Sequence, residues 1–204
     1  LITDHAIEFL DNVPDEQPFF LNVGYIATHS PYHKTTHDPA MTQLYENCEF
    51  IDIPSYKPHD WVKNEGFSMT EPTTQDLRDH YIGYYAAVTE IDNNVARIID
   101  HLEARGLANN TIIIYTSDHG LTTGHHGFWG KGNSTRPLNM YETSLRIPLI
   151  FSGAGVVTGQ AVQHNITHYD TFQTILDLAD LHRDTDKSFP GKSYLQMLQG
   201  DVQA

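Results

Sequence analysis

The side chains best suited to chemistry lie in two short runs, SDHG at 117–120 and GHHGFWGK at 124–131. Asp118 supplies a hard anionic oxygen and His119 an imidazole nitrogen, a pair that can bind a divalent cation. Lys131 adds a positive charge suited to an anionic substrate. Taken alone, an Asp-His step after a strand is more often a turn or a helix cap. The glycine-rich stretch with its His and Lys side chains instead favours a site for a cation and an anion.

The elements next to this cluster are those of an α/β fold. Residues 111–117 (TIIIYTS) are apolar and β-branched, which predicts a buried strand that ends at Asp118. Over residues 74–105 apolar positions recur at spacings of three and four, which predicts one long helix with Gly106 as its C-cap. Ligands of open α/β sheets bind beyond the carboxyl ends of the strands, so the polar cluster lies where a site is expected.

The other predicted elements extend this α/β pattern. Residues 18–25 (PFFLNVGY) and 147–152 (IPLIFS) are nearly continuous in apolar character, as in strands covered on both faces of a parallel sheet. A helix between such strands implies a right-handed parallel crossover, so we expect a mostly parallel sheet flanked by helices. Further helices are predicted at 3–12 and 169–181, and a further strand at 161–167.

Composition narrows the classes of function. Among 204 residues, 12 Lys and Arg stand against 26 Asp and Glu, and the resulting net charge of −14 disfavours nucleic acid as a partner. The single cysteine, Cys48, excludes an internal disulfide framework and a cysteine-rich zinc site. No apolar run approaches the roughly 18 residues of a membrane span, and the N-terminus lacks a signal-peptide pattern. We expect a globular chain without a membrane span.

Taken together, the motifs resemble the sulfatases of the alkaline-phosphatase superfamily. SDHG, HHGFWGK and the run NMYETSLRIPLIF at 139–151 are similar to that family's metal-binding pair after a central strand and the Gly-Lys pair behind it. Upstream, PFFLNVGYIATHSP at 18–31 is similar to a strand that ends in a His-x-Pro step. Downstream, HYDTFQTILDLADL at 168–181 and PGKSYLQMLQG at 190–200 are similar to an Asp-x-x-x-Thr helix and a Gly-x-Ser-Leu turn. The resemblance implies an alkaline-phosphatase-like α/β fold.

The resemblance also implies roles for five residues. It makes Asp118 and His119 ligands of the catalytic divalent cation, and Lys131 and His29 contacts to the sulfate oxygens and the bridging oxygen. His29 leaves the carboxyl end of a predicted strand, at the same predicted sheet edge as Asp118. His126 falls near the site, where binding the substrate and holding the glycine-rich loop are both open roles.

The cation that the family implies is calcium. Calcium prefers oxygen ligands, whereas the imidazole of His119 also suits manganese or zinc. Calcium is therefore the first expectation, and Mn²⁺ and Zn²⁺ stay open. Glu142 and Arg146 are expected to pair and to brace the loop.

The sequence departs from the family pattern at the nucleophile. The family oxidises a Cys or Ser in a Cys-x-Pro-x-Arg type motif to formylglycine, and an N-terminal pair of Asp residues completes its metal site. Cys48 stands in ENCEF without the Pro and the Arg, so no residue of this chain is assigned as nucleophile. We interpret the chain as an excerpt with formylglycine expected upstream. Residues 1–160 would be the C-terminal portion of the catalytic domain, and 161–204 a closing segment toward a missing C-terminal subdomain.

By this resemblance, the expected activity is metal-dependent hydrolysis of a sulfate ester. Residues 32–72 lack periodicity and contain Tyr56 and Trp61, whose rings can stack on sugar faces, so the expected partner is a sulfated carbohydrate or another sulfated small molecule. Phosphodiesterases and phosphonate monoester hydrolases share the Asp-His step and are the alternative. A non-catalytic paralogue that binds sulfated ligands is a further alternative. The family implies a periplasmic or secreted location.

The apolar strands also predict how these 204 residues behave alone. Strands that are apolar on both faces need neighbouring strands and helices to cover them. Without these neighbours, a sheet edge and apolar surface are exposed. We expect the isolated chain to be inactive and to self-associate.

Overall fold

The computed structural model describes residues 1–51, 57–62, 73–181 and 189–201, so Tyr56 lies outside the described residues. The chain forms two units, residues 1–107 with 116–148 and residues 108–115 with 149–204. All five residues that carry an implied role belong to the first unit. Among the described helices, none combines the length and the apolarity needed to cross a membrane.

The first unit is organised around one long helix, α3, which runs over Thr74–Ala104 as the apolar spacing predicts. A capping box begins it: the Thr73 hydroxyl accepts the Asp76 backbone N–H at 3.1 Å, and the Asp76 carboxylate accepts the Thr73 N–H at 3.0 Å. Hydrogen bonds from the hydroxyl and the N–H of Thr73 lower the pKa of Asp76. The predicted C-cap Gly106 has a φ of 71°, a conformation that glycine adopts without strain.

Two shorter helices, α1 (Ile2–Asn12) and α2 (Pro39–Gln43), pack against α3. The buried Thr3 hydroxyl of α1 donates to Asn94 Oδ1 of α3 at 2.8 Å. Leu10, on the same face of α1, is fully buried. The N-terminal helix predicted from the sequence is therefore confirmed, and α3 supplies the surface that stabilises it.

Part of the segment predicted as a long loop folds back onto α3. Gly83 makes room for it, because a Cβ at this position would lie 2.0 Å from the carbonyl oxygen of Tyr32. The Tyr32 ring contacts the buried ring of Trp129, with centroids 5.4 Å apart. Trp129 in turn packs on Tyr81 of α3. This aromatic core connects α3 to the glycine-rich loop.

Two short strands, β2 (Thr122–Thr123) and β3 (Trp129–Gly130), form an antiparallel ladder inside the glycine-rich loop. A 3₁₀ turn at His125–Gly127 lies between them. The Tyr81 hydroxyl donates to the backbone carbonyl of Thr123 and so joins the ladder to α3. The sequence analysis missed this ladder, because strands of two residues are too short to show a period.

The second unit holds β1 (Ile112–Thr116) and β4 (Leu149–Gly153), which form a two-stranded sheet. Both strands were predicted from their apolar runs, with slightly different ends. The backbone N–H of Ala154, just after β4, donates to the carbonyl of Thr111, just before β1, at 3.3 Å. The end of β4 therefore lies beside the start of β1, and the two strands run antiparallel.

The α/β class is confirmed, and the described residues form two small sheets of two strands each. Both of their ladders, β1 with β4 and β2 with β3, are antiparallel. An apolar run predicts burial of a strand and carries no information on its direction. Between β1 and β4 the described helices are one α-helix, α4 (Glu142–Leu145), and short 3₁₀ turns, so this connection contains no long helix of the kind that usually joins parallel strands.

The strand predicted at 18–25 is also not observed, since these residues form no assigned strand. Phe19 and Leu21 are half-buried, whereas Phe20 is 72% exposed and Ile26 is 75% exposed. The segment therefore has one open apolar face in this structure, in contrast to the predicted burial of both.

The C-terminal part of the second unit contains α5 (His168–Leu178) and α6 (Leu195–Leu198). The strand predicted at 161–167 is not observed. The Asp170 carboxylate accepts the backbone N–H groups of Lys192 and Thr167, each at 2.8 Å, and these hydrogen bonds, the first above all, lower its pKa. Asp170 therefore joins the predicted helix to the Gly-x-Ser turn.

The open face at 18–26 generates a prediction for the isolated 204-residue chain. We expect copies to associate through Phe20 and Ile26, because exposed apolar side chains on an extended backbone favour pairing between chains. Sedimentation velocity should show concentration-dependent oligomers that Phe20→Lys with Ile26→Lys shifts toward monomer. Leu44→Lys, at an exposed site on another segment, should leave the distribution unchanged. A wild-type chain that stays monomeric at every concentration would contradict this prediction.

Candidate active site

The turn that follows β1 places Asp118 and His119 together. Asp118 Oδ1 accepts the backbone N–H of His119 at 3.0 Å, which orients the carboxylate toward its neighbour. The next residue, Gly120, is buried, and its N–H donates to the carbonyl of Ser144 at 3.1 Å. A Cβ on Gly120 would lie 2.4 Å from the Thr143 carbonyl oxygen. Only glycine therefore permits this tight turn.

Two neighbours select the tautomer of His119. Nδ1 lies 2.9 Å from the carbonyl oxygen of Gly120, which can only accept, so Nδ1 carries a proton and donates it. Nε2 lies 3.0 Å from Lys131 Nζ, and an ammonium group can only donate, so Nε2 accepts. Both contacts require the same tautomer, with the lone pair on Nε2. Metal-binding histidines have this arrangement, in which the second ring nitrogen donates to a carbonyl or carboxylate.

Asp118 Oδ2 and His119 Nε2, both acceptors, lie 3.4 Å apart. Two acceptors this close repel each other unless a positive charge lies beside them. Lys131 supplies that charge in this structure, and a carboxylate oxygen paired with an imidazole nitrogen also suits a divalent cation. The residues therefore fit two ligands of a cation. Within the described ranges, no group of three or more His, Cys, Asp or Glu side chains is arranged to hold a metal ion.

Lys131 reaches this place because the loop holds its backbone. It directly follows β3, and its N–H donates to the Ser134 hydroxyl at 3.0 Å. Its carbonyl accepts the Ser134 N–H at 2.9 Å and the Asn139 side-chain amide at 3.2 Å. The ammonium group therefore extends from a fixed turn.

His126 lies elsewhere on the glycine-rich loop. Its ring stacks on Tyr141, with centroids 3.9 Å apart and planes inclined by 6°. Its φ of 59° is in the left-handed region, which is uncommon for residues other than glycine. In the described part of the chain, no hydrogen bond or ion pair is recorded from His126 to Asp118, His119 or Lys131. The stacking fits a role in holding the loop, and a role in binding substrate stays a prediction.

The segment at 57–62 packs on the same loop, as expected for part of a pocket rim. The His59 N–H donates to the Gly127 carbonyl at 2.9 Å, and His59 Nε2 lies 3.1 Å from the Tyr141 hydroxyl. A Cβ on Gly127 would lie 1.8 Å from the Lys57 carbonyl oxygen. From the sequence, His59 is predicted only as a surface or substrate-specificity residue of a loop, with no spacing that indicates a metal ligand. Its only signal was a place in a stretch rich in His and aromatic residues.

His29 is exposed, and its described contacts are local. Its N–H donates to the Ile26 carbonyl at 2.8 Å, and its Nδ1 lies 3.3 Å from the Ser30 hydroxyl. For the residues that the structure describes, no hydrogen bond joins His29 to Asp118, His119 or Lys131. Its role at the bridging oxygen stays a prediction.

Glu142 and Arg146 do pair, at 3.7 Å, but their side chains are 79% and 77% exposed. Exposed pairs of this kind contribute little to stability. The loop is braced instead by buried polar side chains, among them Thr122, Asn139 and Ser144. The sequence analysis missed this group, because buried polar residues in an irregular loop leave no periodic signal.

Comparison with known proteins identifies the family of the chain. The sulfatase family profile matches residues 1–181. N-acetylglucosamine-6-sulfatase of Bos taurus is 26% identical over 98% of this chain and 35% of its own length. A structure solved in complex with its substrate D-glucosamine-2-N,6-O-disulfate has a TM-score of 0.74 at 23% identity, over 98% of this chain and 51% of that one. Phosphonate monoester hydrolase of Silicibacter pomeroyi has a TM-score of 0.57 at 29% identity, over 64% of this chain and 24% of that one.

The fold, the family profile and the solved structures together define an alkaline-phosphatase-like α/β protein. More closely, the chain belongs to the sulfatase family, whose profile matches most of its length. It spans about a third of the length of the curated relatives it matches, 35% for the bovine sulfatase.

Proposed function

We propose that the protein to which these residues belong hydrolyses sulfate esters. One observation supports this above others: Lys131 Nζ and Asp118 Oδ2 lie 3.0 Å and 3.4 Å from the same atom, His119 Nε2. A positive charge and two cation ligands so close together suit an anionic group that gains charge during reaction. Membership of the sulfatase family favours sulfate as that group.

Asp118 and His119 would hold a divalent cation, with calcium the first choice and manganese or zinc also suited to the imidazole. When bound, the cation polarises an oxygen of the ester and stabilises developing negative charge. With the cation on His119 Nε2, Lys131 would turn its ammonium group from that atom to a nonbridging sulfate oxygen close by, to which it can only donate. The carbonyl of Gly120 keeps the Nε2 lone pair of His119 available throughout.

His29 would donate a proton to the bridging oxygen as the alcohol leaves. The Tyr32 contact with Trp129 supports this role, because it joins the segment after His29 to the loop that carries Lys131. The nucleophile would be a formylglycine outside these residues, as the family implies, and no step is assigned to it here.

The substrate that the site suits best is a sulfated carbohydrate. Two relatives support this: one is named for a sulfated amino sugar and another is solved with a disulfated glucosamine. The segment at 57–62 offers a ring for stacking on a sugar face, since Trp61 is 43% exposed beside the glycine-rich loop.

Phosphonate or phosphodiester hydrolysis is the second candidate. It is favoured by the likeness to a phosphonate monoester hydrolase. The same cation ligands and the same lysine would serve phosphoryl transfer, because it also places charge on nonbridging oxygens.

A matched substrate panel tests the reaction class. The full-length protein, loaded with calcium, should hydrolyse nitrophenyl sulfate with a higher kcat/KM than nitrophenyl phosphate or nitrophenyl phosphonate. A sulfated amino sugar should be hydrolysed with a higher kcat/KM than nitrophenyl sulfate, as the carbohydrate assignment predicts. A clear preference for either phosphorus ester would replace the proposed function by the second candidate. No turnover of any ester would favour a non-catalytic binding protein.

A second prediction concerns the cation. Asp118→Ala in the full-length protein should weaken calcium binding by roughly 10- to 100-fold and abolish turnover. Without calcium, the melting temperature should change little, because the Asp118 side chain is 83% exposed. Asp100→Ala, at an exposed carboxylate on α3, is the matched control and should leave calcium binding and turnover unchanged. Normal metal content and activity in Asp118→Ala would remove Asp118 from the site.

A further inference from the structure

A group of buried polar residues in the first unit contacts the turns of Lys131 and Gly120 and contains none of the residues with an implied role. Asn139, Ser144, Thr122 and Thr135 are each at most 5% exposed. Burying a polar side chain is costly unless its hydrogen-bonding groups are paired. Four such side chains in one loop therefore indicate that the loop is held by hydrogen bonds at fixed positions, which apolar packing would not provide.

The hydrogen bonds of this group run in one direction. The Ser144 hydroxyl donates to Asn139 Oδ1 at 2.8 Å. Its single proton is thereby used, so its 3.1 Å contact with the Thr122 hydroxyl is one in which Thr122 donates. Thr122 in turn accepts from the Thr143 hydroxyl at 2.7 Å. The chain of hydroxyls ends on the amide oxygen of Asn139.

The other end of the Asn139 amide contacts the turn that carries the lysine. Nδ2 lies 3.2 Å from the carbonyl oxygens of both Lys131 and Gly132, and 3.1 Å from the Thr135 hydroxyl oxygen. The Asn139 backbone N–H also donates to the Gly132 carbonyl, at 3.0 Å. Asn139 therefore ties down the backbone on which the Lys131 ammonium group extends.

Ser144 connects the same group to the other half of the site. Its backbone carbonyl accepts the Gly120 N–H at 3.1 Å. Gly120 supplies the carbonyl that accepts Nδ1–H of His119 at 2.9 Å. The Asn139 side chain thus bonds the Lys131 turn directly, and through Ser144 the turn that holds His119.

We propose that Asn139 is a positioning residue that sets the approach of Lys131 Nζ to His119 Nε2. This inference rests on the proposed function, in which that approach places the positive charge for the sulfate group. The amide is required because one end must accept a hydroxyl proton while the other donates to two carbonyls. A carboxylate of the same shape would set an anionic oxygen against those carbonyls, and an alanine would leave each of them with its backbone partner alone.

The test uses the full-length protein with ¹⁵N-labelled histidine, freed of divalent cations by a chelator so that His119 Nε2 is open to Lys131. The resonance that is lost in His119→Gln is assigned to Nε2 of His119. Its chemical shift in the wild type gives the value with the Lys131 contact, and its chemical shift in Lys131→Ala gives the value without it. Asn139→Ala should move this resonance toward its Lys131→Ala position, since the lysine no longer donates to Nε2. In the Lys131→Ala background, Asn139→Ala should move it no further. A resonance unmoved by Asn139→Ala, or moved equally in both backgrounds, overturns the inference.

A binding measurement gives a second readout. Asn139→Ala should raise the Kd for inorganic sulfate about tenfold, as for other residues that support a ligand-binding side chain. The matched control is Thr174→Val, which removes a buried hydroxyl that donates to the Asp170 carbonyl at 2.9 Å and accepts the Tyr194 N–H at 3.0 Å. An equal rise in Kd in Thr174→Val would mean general destabilisation and would overturn the inference. Should Asn139→Ala not fold, Ser144→Ala carries the same test, since it removes the donor to Oδ1, together with the acceptor of the Thr122 hydroxyl, and keeps the Asn139 side chain.

The two proposals fail in different experiments. If wild type does not cleave sulfate esters, the proposed function fails in the substrate panel. The resonance of His119 needs no turnover and no bound sulfate. It therefore tests the link between Asn139 and Lys131 whichever ester the protein acts on.

Discussion

Two acceptor atoms at the end of β1, Asp118 Oδ2 and His119 Nε2, lie 3.4 Å apart and require a positive charge beside them. The Gly120 carbonyl holds the His119 ring in the tautomer that keeps Nε2 unprotonated. A cation, or the ammonium group of Lys131, is what makes this pair of acceptors stable. The remainder of the first unit can be understood as the structure that brings such a charge to them.

Lys131 is 12 residues from His119 along the chain, so packing must bring the loop back. Trp129, which is 1% exposed, anchors the loop in the aromatic core on α3. Asn139 then fixes the turn that follows, through the carbonyl of Lys131. The close approach of backbones at these points explains the glycines of the loop better than flexibility does, as the Gly127 contact with the Lys57 carbonyl illustrates.

Features with a local cause could be predicted from the sequence, and features with a distant cause could not. The capping box at Thr73 and the apolar spacing behind it specify α3, and the apolar run before Asp118 specifies β1. The direction of β4 and the open face at 18–26 depend on which segments pair, which an apolar run does not encode. The Asn139 group was missed for a related reason. Its four buried side chains are polar, and only their mutual hydrogen bonds make their burial favourable.

The claim that cation and anion share one site is tested most directly by sulfate binding with and without calcium. In the full-length protein, isothermal titration should show that calcium tightens sulfate binding at least about fivefold, and that sulfate tightens calcium binding by the same factor. His119→Ala should remove this coupling. A sulfate Kd that is the same with and without calcium would contradict the account.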